Sequence, residues 1–187
     1  MNNQLIVISG PSGVGKGTIV NKLLKKGGFA LSVSCTTRQM RTGEEDGKSY
    51  FFITKEKFES LIKEGGFLEY SNHFGNYYGT PAKFVKDRLK THDVVLEIDV
   101  DGALQIKKAY PRAVLIMILP PNEETLRTRL KGRGTESDER IEERIKRYNY
   151  ELSKKQCYDF AVINGDLDKA VAEIENIIKE IKESKHD

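Results

Sequence analysis

Cysteine, histidine and long apolar runs are all scarce in this sequence. Cys35 and Cys157 are its only two cysteines and lie far apart. Two cysteines are too few for a cysteine-type metal site, and the expectation is free thiols in a reducing cytoplasm. The three histidines, His73, His92 and His186, form no ligand spacing. No segment approaches the roughly 20 apolar residues needed to span a bilayer, so no membrane partner is expected. The opening MNNQLIVISG has no basic n-region and does not read as a signal peptide. Net charge is scarce too. At +3, with acids interspersed among the 31 Lys and Arg, it gives no support for a nucleic-acid partner. Repeats and low-complexity tracts are absent.

What remains is 187 residues, 38% hydrophobic and 32% charged, enough for one globular domain with a sizeable core. The run Leu5–Ser9 is continuously apolar, so it reads as a strand buried on both faces. A helix is expected from about Gly15 to Lys26, with Ile19, Val20, Leu23 and Leu24 as its apolar stripe. FALSVSCTT reads as one strand. From Arg38 to Gly79 the chain turns polar, glycine-rich and aromatic, which suggests a small insertion of antiparallel type with turns at Asn72 and Gly75-Asn76. Beyond it a helix is expected over 81–92, a strand at DVVLEID, a helix at GALQIKKAY, and a strand at AVLIMIL. Then follow a helix capped by Asn122, a long helix over about 137–156, a strand at YDFAVIN and a C-terminal helix from Asp166. Alternating apolar strands and helices imply a parallel sheet with right-handed crossovers. The expected fold is therefore a three-layer α/β/α P-loop kinase fold in a single domain. Its core would be 1–33, 81–128 and 154–187, its insertion 34–80 and its lid 129–153.

The glycine stretch after the first strand fits the phosphate-loop pattern G-x-x-x-x-G-K, running Gly10, Pro11, Ser12, Gly13, Val14, Gly15, Lys16. Its glycines let backbone N–H groups turn toward phosphate oxygens, and the helix start adds partial positive charge. Lys16 supplies a mobile cation for the β- and γ-phosphates. The bland alternative is a glycine turn without ligand, which the strand–loop–helix context opposes. Gly17 stands where the motif has Ser or Thr, so the usual magnesium hydroxyl is missing, and Thr18 is available to another phosphate. Magnesium is then expected on nucleotide oxygens and water, with no protein side chain as a direct ligand. VVLEID resembles a Walker-B strand ending in Asp99, and ligands of open α/β sheets bind at such ends.

Three features suggest where the phosphate goes. Arg38 and Arg41, followed by Tyr50, suit a second phosphate group; a solvated basic loop is the alternative. Glu69, Tyr78 and Thr80 lie in the same insertion. A carboxylate accepts from guanine N1–H and the 2-amino group together, and a hydroxyl donates to O6, with Ser34 as a possible second hydroxyl. Adenine fails both contacts, and a polar site left unpaired rejects the wrong base by about 10⁴ or more. Taken alone, Glu69 would read as an exposed strand acid. Finally, Arg133 sits in a glycine-flanked loop, and Arg140, Arg144 and Arg147 share a helix face. Lid arginines can neutralise a phosphoryl group in transit; a helix laced with Glu–Arg pairs is the alternative.

Together, ISGPSGVGKGT, SCTTRQMRTGEEDGKSYFF, FLEYSNHFGNYYGTP, LEIDVDGA, RLKGRGTES and FAVING resemble the guanylate kinases over nearly the whole chain. The resemblance implies transfer of the γ-phosphoryl group of ATP to GMP, and to dGMP, in purine nucleotide metabolism and GMP recycling. The loop 10–18 would hold ATP with magnesium, and Asn164 would help to hold the adenine. Ser34, Glu69 and Thr80 would read guanine, while Arg38, Arg41, Tyr50 and Tyr78 would hold the GMP phosphate. Lys16, Arg38, Arg133 and Arg144 would be catalytic. Asp99 would sit near the guanine amino group or magnesium waters. Asp101 stands where the family commonly has glutamine, and Arg140 and Arg147 match no motif position and stay surface residues. ATP and GMP would be the partners of a monomer or small homo-oligomer. A guanylate-kinase-like peptide-binding module, another small kinase and a GTPase are the rival readings. The intact loop, the base-reading set and the lack of an N-K-x-D stretch oppose them in turn.

Overall fold

The computed structural model describes residues 3–73, 75–132 and 137–184. The elements run, in chain order, β1 (Leu5–Ser9), α1 (Lys16–Lys25), β2 (Phe29–Leu31), β3 (Cys35–Thr36), β4 (Phe51–Phe52), α2 (Lys55–Lys63), β5 (Phe67–His73) and β6 (Asn76–Pro81). They continue with α3 (Ala82–Arg88), β7 (Asp93–Glu97), α4 (Val100–Ala109), β8 (Val114–Leu119), α5 (Glu123–Lys131), α6 (Asp138–Leu152), β9 (Phe160–Ile163) and α7 (Leu167–Glu183). A short 3₁₀ turn, Lys155–Cys157, follows α6.

The core sheet is parallel, five-stranded and ordered β2-β7-β1-β8-β9. Every residue of β1 and β8 is buried, which is why β8 is an uninterrupted apolar run and β1 is apolar up to its last residue, Ser9. A second sheet, ordered β4-β3-β6-β5, holds the insertion. It is mixed rather than antiparallel: β3 pairs antiparallel with β6 but parallel with β4. FALSVSCTT is likewise two strands in two sheets. Ser32 N–H still donates to Val95 in the core sheet, and Ser34 O already accepts from Phe51 in the other. The serine-rich joint at 32–34 lets the chain change partners, because its small side chains add no apolar surface to either sheet. Asn72 stays in β5, paired with Tyr77, and does not turn. Pro81 ends β6 and caps α3, so the proline lies just outside the helix. The helix stops at Arg88, short of the expected His92, and α6 ends at Leu152.

The chain clusters into two compact units, Met1–Val7 with Gly28–Val114, and Ile8–Gly27 with Leu115–Asp187. In the first, Phe58 is fully buried, 4.4 Å from the Phe67 ring and 5.2 Å from the Tyr77 ring. This stack fastens α2 to β5 and β6, and truncating such a ring to alanine costs about 3–5 kcal/mol. In the second, Leu126 and Leu130 of α5 pack on Ile141, Ile145 and Tyr148 of α6. Asn122 Oδ1 accepts from Thr125 N at 2.8 Å and Asp166 caps α7 in the same manner, each cap contributing about 1 kcal/mol. Among the described residues, no helix is long and apolar enough to cross a membrane.

Candidate active site

The phosphate loop leaves the end of β1 and enters α1 within one unit. Three of its glycines are obligatory. Gly10 has φ 140°, and a Cβ there would meet Ile118 O at 2.2 Å. Gly13 and Gly15 have φ 89° and 97°, a region that L side chains rarely adopt. Gly15 offers no side-chain cap to α1, and the first turn holds no acid. An anion at that helix start would meet the positive end of the helix dipole with no acidic side chain opposing it. Lys16 Nζ folds back over the loop, donating to Gly10 O at 2.5 Å and Pro11 O at 3.0 Å. Pro11 and Val14 are buried, Gly17 is half-buried, and Ser12 and Thr18 are exposed.

The loop is braced from two helices and a strand end. Asn164 Nδ2 donates to Val14 O at 2.8 Å, and Arg129 donates to Val14 O at 3.3 Å and Asn164 O at 2.9 Å. Asn164, expected against the adenine, is buried with its amide committed to this brace. Arg129 carries no sequence signal. It is one of several basic residues in LRTRLKGRG, and its partners are 115 and 35 positions away. Of the α6 arginines, Arg144 reaches the loop, donating to Ser12 Oγ. Arg147 instead pairs with Glu151 at 3.2 Å and lies over the Tyr150 ring. Arg133 lies outside the described residues.

The candidate acceptor set belongs entirely to the other unit. The β5–β6 register sets Glu69 opposite Thr80 and Ser71 opposite Tyr78. Glu69 is 3% exposed and Thr80 fully buried, and Thr80 Oγ1 donates to Glu69 Oε1 at 2.6 Å. The buried pair replaces the exposed-acid reading of Glu69. A hydroxyl carries one proton, and in this structure the Thr80 proton goes to the Glu69 carboxylate, which it orients. Ser34, half-buried just before β3, is the other hydroxyl of the set.

Helix α4 lies along β5 and meets it at residues 99, 102 and 105. Asp99 is not the end of β7, which stops at Glu97, but the N-cap of α4. Its Oδ1 accepts from Asp101 N at 2.8 Å and Gly102 N at 3.0 Å, and its Oδ2 accepts from Ser71 Oγ at 2.8 Å. A Cβ on Gly102 would stand 2.5 Å from Glu69 Oε2. Gln105 pairs with the Tyr70 backbone, donating to its O at 2.9 Å and accepting from its N at 3.3 Å. These bonds satisfy backbone groups on an edge strand that would otherwise be open to pairing. Ser71 and Gly102 were not foreseen; the contacts that give them meaning are long-range.

Arg38, Tyr50 and Tyr78 form a cationic platform. The Arg38 guanidinium lies 5.5 Å from the Tyr50 ring centroid, and the Tyr50 and Tyr78 rings are 6.0 Å apart. Glu44, also unforeseen, takes Arg38 in a fork: Nη1–Oε2 at 3.0 Å and Nη2–Oε1 at 2.7 Å. Glu44 Oε2 also accepts from Arg41 N at 2.7 Å, while Arg41 itself is exposed. The fork holds the Arg38 pKa above its ordinary value and Glu44 below the usual carboxylate range. Burial pushes Tyr50 up to about 12, so its phenol remains a hydrogen-bond donor at neutral pH. An acid three residues after Arg41 is the one local clue to Glu44.

The chain thus presents a braced phosphate loop on one unit and a buried carboxylate–hydroxyl pair with an arginine–tyrosine platform on the other. The family model of guanylate kinases matches residues 2–181. The crystal structure of guanylate kinase from Anaplasma phagocytophilum is similar with a TM-score of 0.80 and 33% sequence identity, covering 95% of this chain and 85% of that one. This chain belongs to the guanylate kinase family.

Proposed function

We propose that this chain transfers the γ-phosphoryl group of ATP to GMP, giving ADP and GDP, with dGMP as a second acceptor. The observation that carries the reading is the buried Glu69–Thr80 pair. A carboxylate held there can accept from both N1–H and the 2-amino group of guanine, while adenine presents a bare acceptor at N1. With the Thr80 proton spent on Glu69, Ser34 is the donor assigned to O6. Asp99 lies on the helix beside Glu69, within the same unit, and takes the amino-group side. Arg38, Arg41, Tyr50 and Tyr78 hold the acceptor phosphate. Residues 34–80 then form the acceptor insertion and 129–153 the lid.

The loop Gly10–Thr18 holds the triphosphate, with Lys16, Arg144 and Arg133 neutralising charge as the phosphoryl group moves. Gly17 offers no hydroxyl at the position where the loop motif has Ser or Thr, so magnesium is assigned to the substrate MgATP, carried by phosphate oxygens and water. The acceptor phosphate is already anionic, so no side chain has to act as a strong base. Positioning and electrostatics supply the catalysis. A cytoplasmic setting fits the reading.

The test is ADP release from MgATP with GMP, AMP, CMP, UMP or no acceptor. Release with GMP alone supports the proposal. Release without acceptor makes the chain an ATPase and removes the roles given to residues 34–80. GMP binding without release makes it a binding module.

A further inference from the structure

We propose that Gly102 sets the guanine specificity of the acceptor site by giving helix α4 a bare surface against which the Glu69 carboxylate is seated. The inference rests on the reading of Glu69 above. Gly102 lies in the first turn of α4, a regular helical position with an ordinary φ. Alanine is the better helix former, so glycine there goes against helix propensity. The reason lies across the contact. A Cβ would stand 2.5 Å from Glu69 Oε2 and 3.1 Å from Glu69 Cδ. Glu69 cannot give way easily, because its other oxygen takes the Thr80 proton and its side chain is 3% exposed.

The helix itself is held in register on β5 from both sides of Gly102. One turn back, Asp99 accepts from Ser71, which lies two residues from Glu69 and so on the same face of β5. One turn on, Gln105 grips the Tyr70 backbone. Positions 99, 102 and 105 thus act as a ruler. The two flanking contacts fix the distance between helix and strand, and the glycine leaves one carboxylate's width in that gap. A methyl group at 102 has to push either the carboxylate or the helix, and moving the helix breaks two sets of hydrogen bonds. The carboxylate moves.

The experiment compares the parent chain with Gly102→Ala, using GMP and IMP as acceptors and ATP as donor. IMP lacks the 2-amino group, so it uses one fewer contact to the carboxylate and measures its aim. Gly102→Ala is expected to lower kcat/KM for GMP on the order of 10–100-fold, the cost of misplacing a reading group by about 1 Å. The GMP-to-IMP ratio should fall about tenfold, with the ATP KM and thermal midpoint unchanged. If the parent uses GMP and the variant matches it in GMP kinetics and in the ratio, the inference is overturned and the function stands. If the parent does not use GMP, the function fails and the inference fails with it. Equal loss for GMP and IMP would make Gly102 a general packing residue and also overturn it. Should Gly102→Ala not fold, Ser71→Ala loosens the ruler without adding volume. It is then expected to lower the GMP-to-IMP ratio about fivefold, the worth of one hydrogen bond of ~1 kcal/mol; an unchanged ratio overturns the inference.

Discussion

Replacing Asn164 by alanine separates two roles that one position could play, bracing the phosphate loop or touching the adenine. The side chain donates to Val14 O at 2.8 Å in a buried setting, and its amide lies where a Cβ on Gly15 would stand, 2.6 Å away. Removing the amide forfeits one hydrogen bond and leaves Val14 O with the longer bond from Arg129 at 3.3 Å. A lost bond plus a partly unsatisfied buried carbonyl costs about 1–3 kcal/mol. At 1.4 kcal/mol per tenfold, this corresponds to a loss of about 5–150-fold in kcat/KM for the triphosphate. Arg129 keeps the value away from the upper end. A loosened loop serves every triphosphate badly, whereas a lost base contact harms one base only. The assay is therefore GMP phosphorylation with ATP and, separately, with GTP as donor. Asn164→Ala is expected to lower both by the same factor, leaving the GMP KM unchanged. Asn164→Asp, which sets an acceptor against the Val14 carbonyl, should lose more. A loss confined to ATP would refute the bracing argument, and so would native kinetics with ATP.

The other predictions touch the acceptor unit. Glu69→Gln should cut kcat/KM for GMP by roughly 10²–10³-fold, through two charged contacts of about 1.5–3 kcal/mol each softened by partial compensation, with the ATP KM unmoved; equal loss for both nucleotides would remove Glu69 from the base site. Glu44→Ala frees Arg38 from its fork and should raise the GMP KM about tenfold, with Glu44→Gln between parent and Ala; a lower GMP KM would mean instead that Glu44 competes with the acceptor phosphate. Burial pushes the Cys35 thiol from 9.0 up to about 11 and Tyr50 from 10.0 up to about 12. Both folded values lie above the unfolded ones. Stability from these groups is therefore full below about pH 9 and drains away as pH rises through the folded values. Urea midpoints should fall between pH 8 and pH 11, less steeply in Cys35→Ala; an identical slope in that variant would place the loss elsewhere.

Much of the frame can be read locally because its causes are local. Leu5–Ser9 and Val114–Leu119 are buried end to end, and a continuous apolar run says as much. Asn122 and Asp166 announce their helices because capping is a contact across three residues. FALSVSCTT fails for the opposite reason. Its apolar–polar pattern is compatible with one strand, and nothing within nine residues says that Phe29 will pair with Asp93 while Cys35 pairs with Gly79. The chemistry of the site is legible in the same unequal way. The glycines at positions 10, 13 and 15 are legible by type and spacing, and the structure gives each a positive φ. Asp99 is read from the sequence as a strand end and is instead an N-cap, a place that depends on where β7 stops.

The residues that escape notice share a property: each acts on another side chain or on backbone rather than on a ligand. Arg129 holds Val14, Glu44 holds Arg38, Ser71 holds Asp99 and Gly102 seats Glu69; Asn164 and Thr80, which the sequence does single out, hold Val14 and Glu69 as well. Their number explains something that the ligand-facing set alone does not. Immobilising a long side chain at the moment of binding costs about 0.5–1.5 kcal/mol each. Arg38, caught between Glu44 and the Tyr50 ring, and Glu69, caught between Thr80 and α4, have lost that freedom on folding. That cost is therefore met on folding rather than at binding. It follows that Glu44→Ala, at a part-buried fork, should change the GMP KM more than the thermal midpoint, whereas substitution of the buried Asn164 or Thr80 should lower both stability and kcat/KM. Substitution of Phe58, which stacks on Phe67 and Tyr77, should chiefly lower the thermal midpoint.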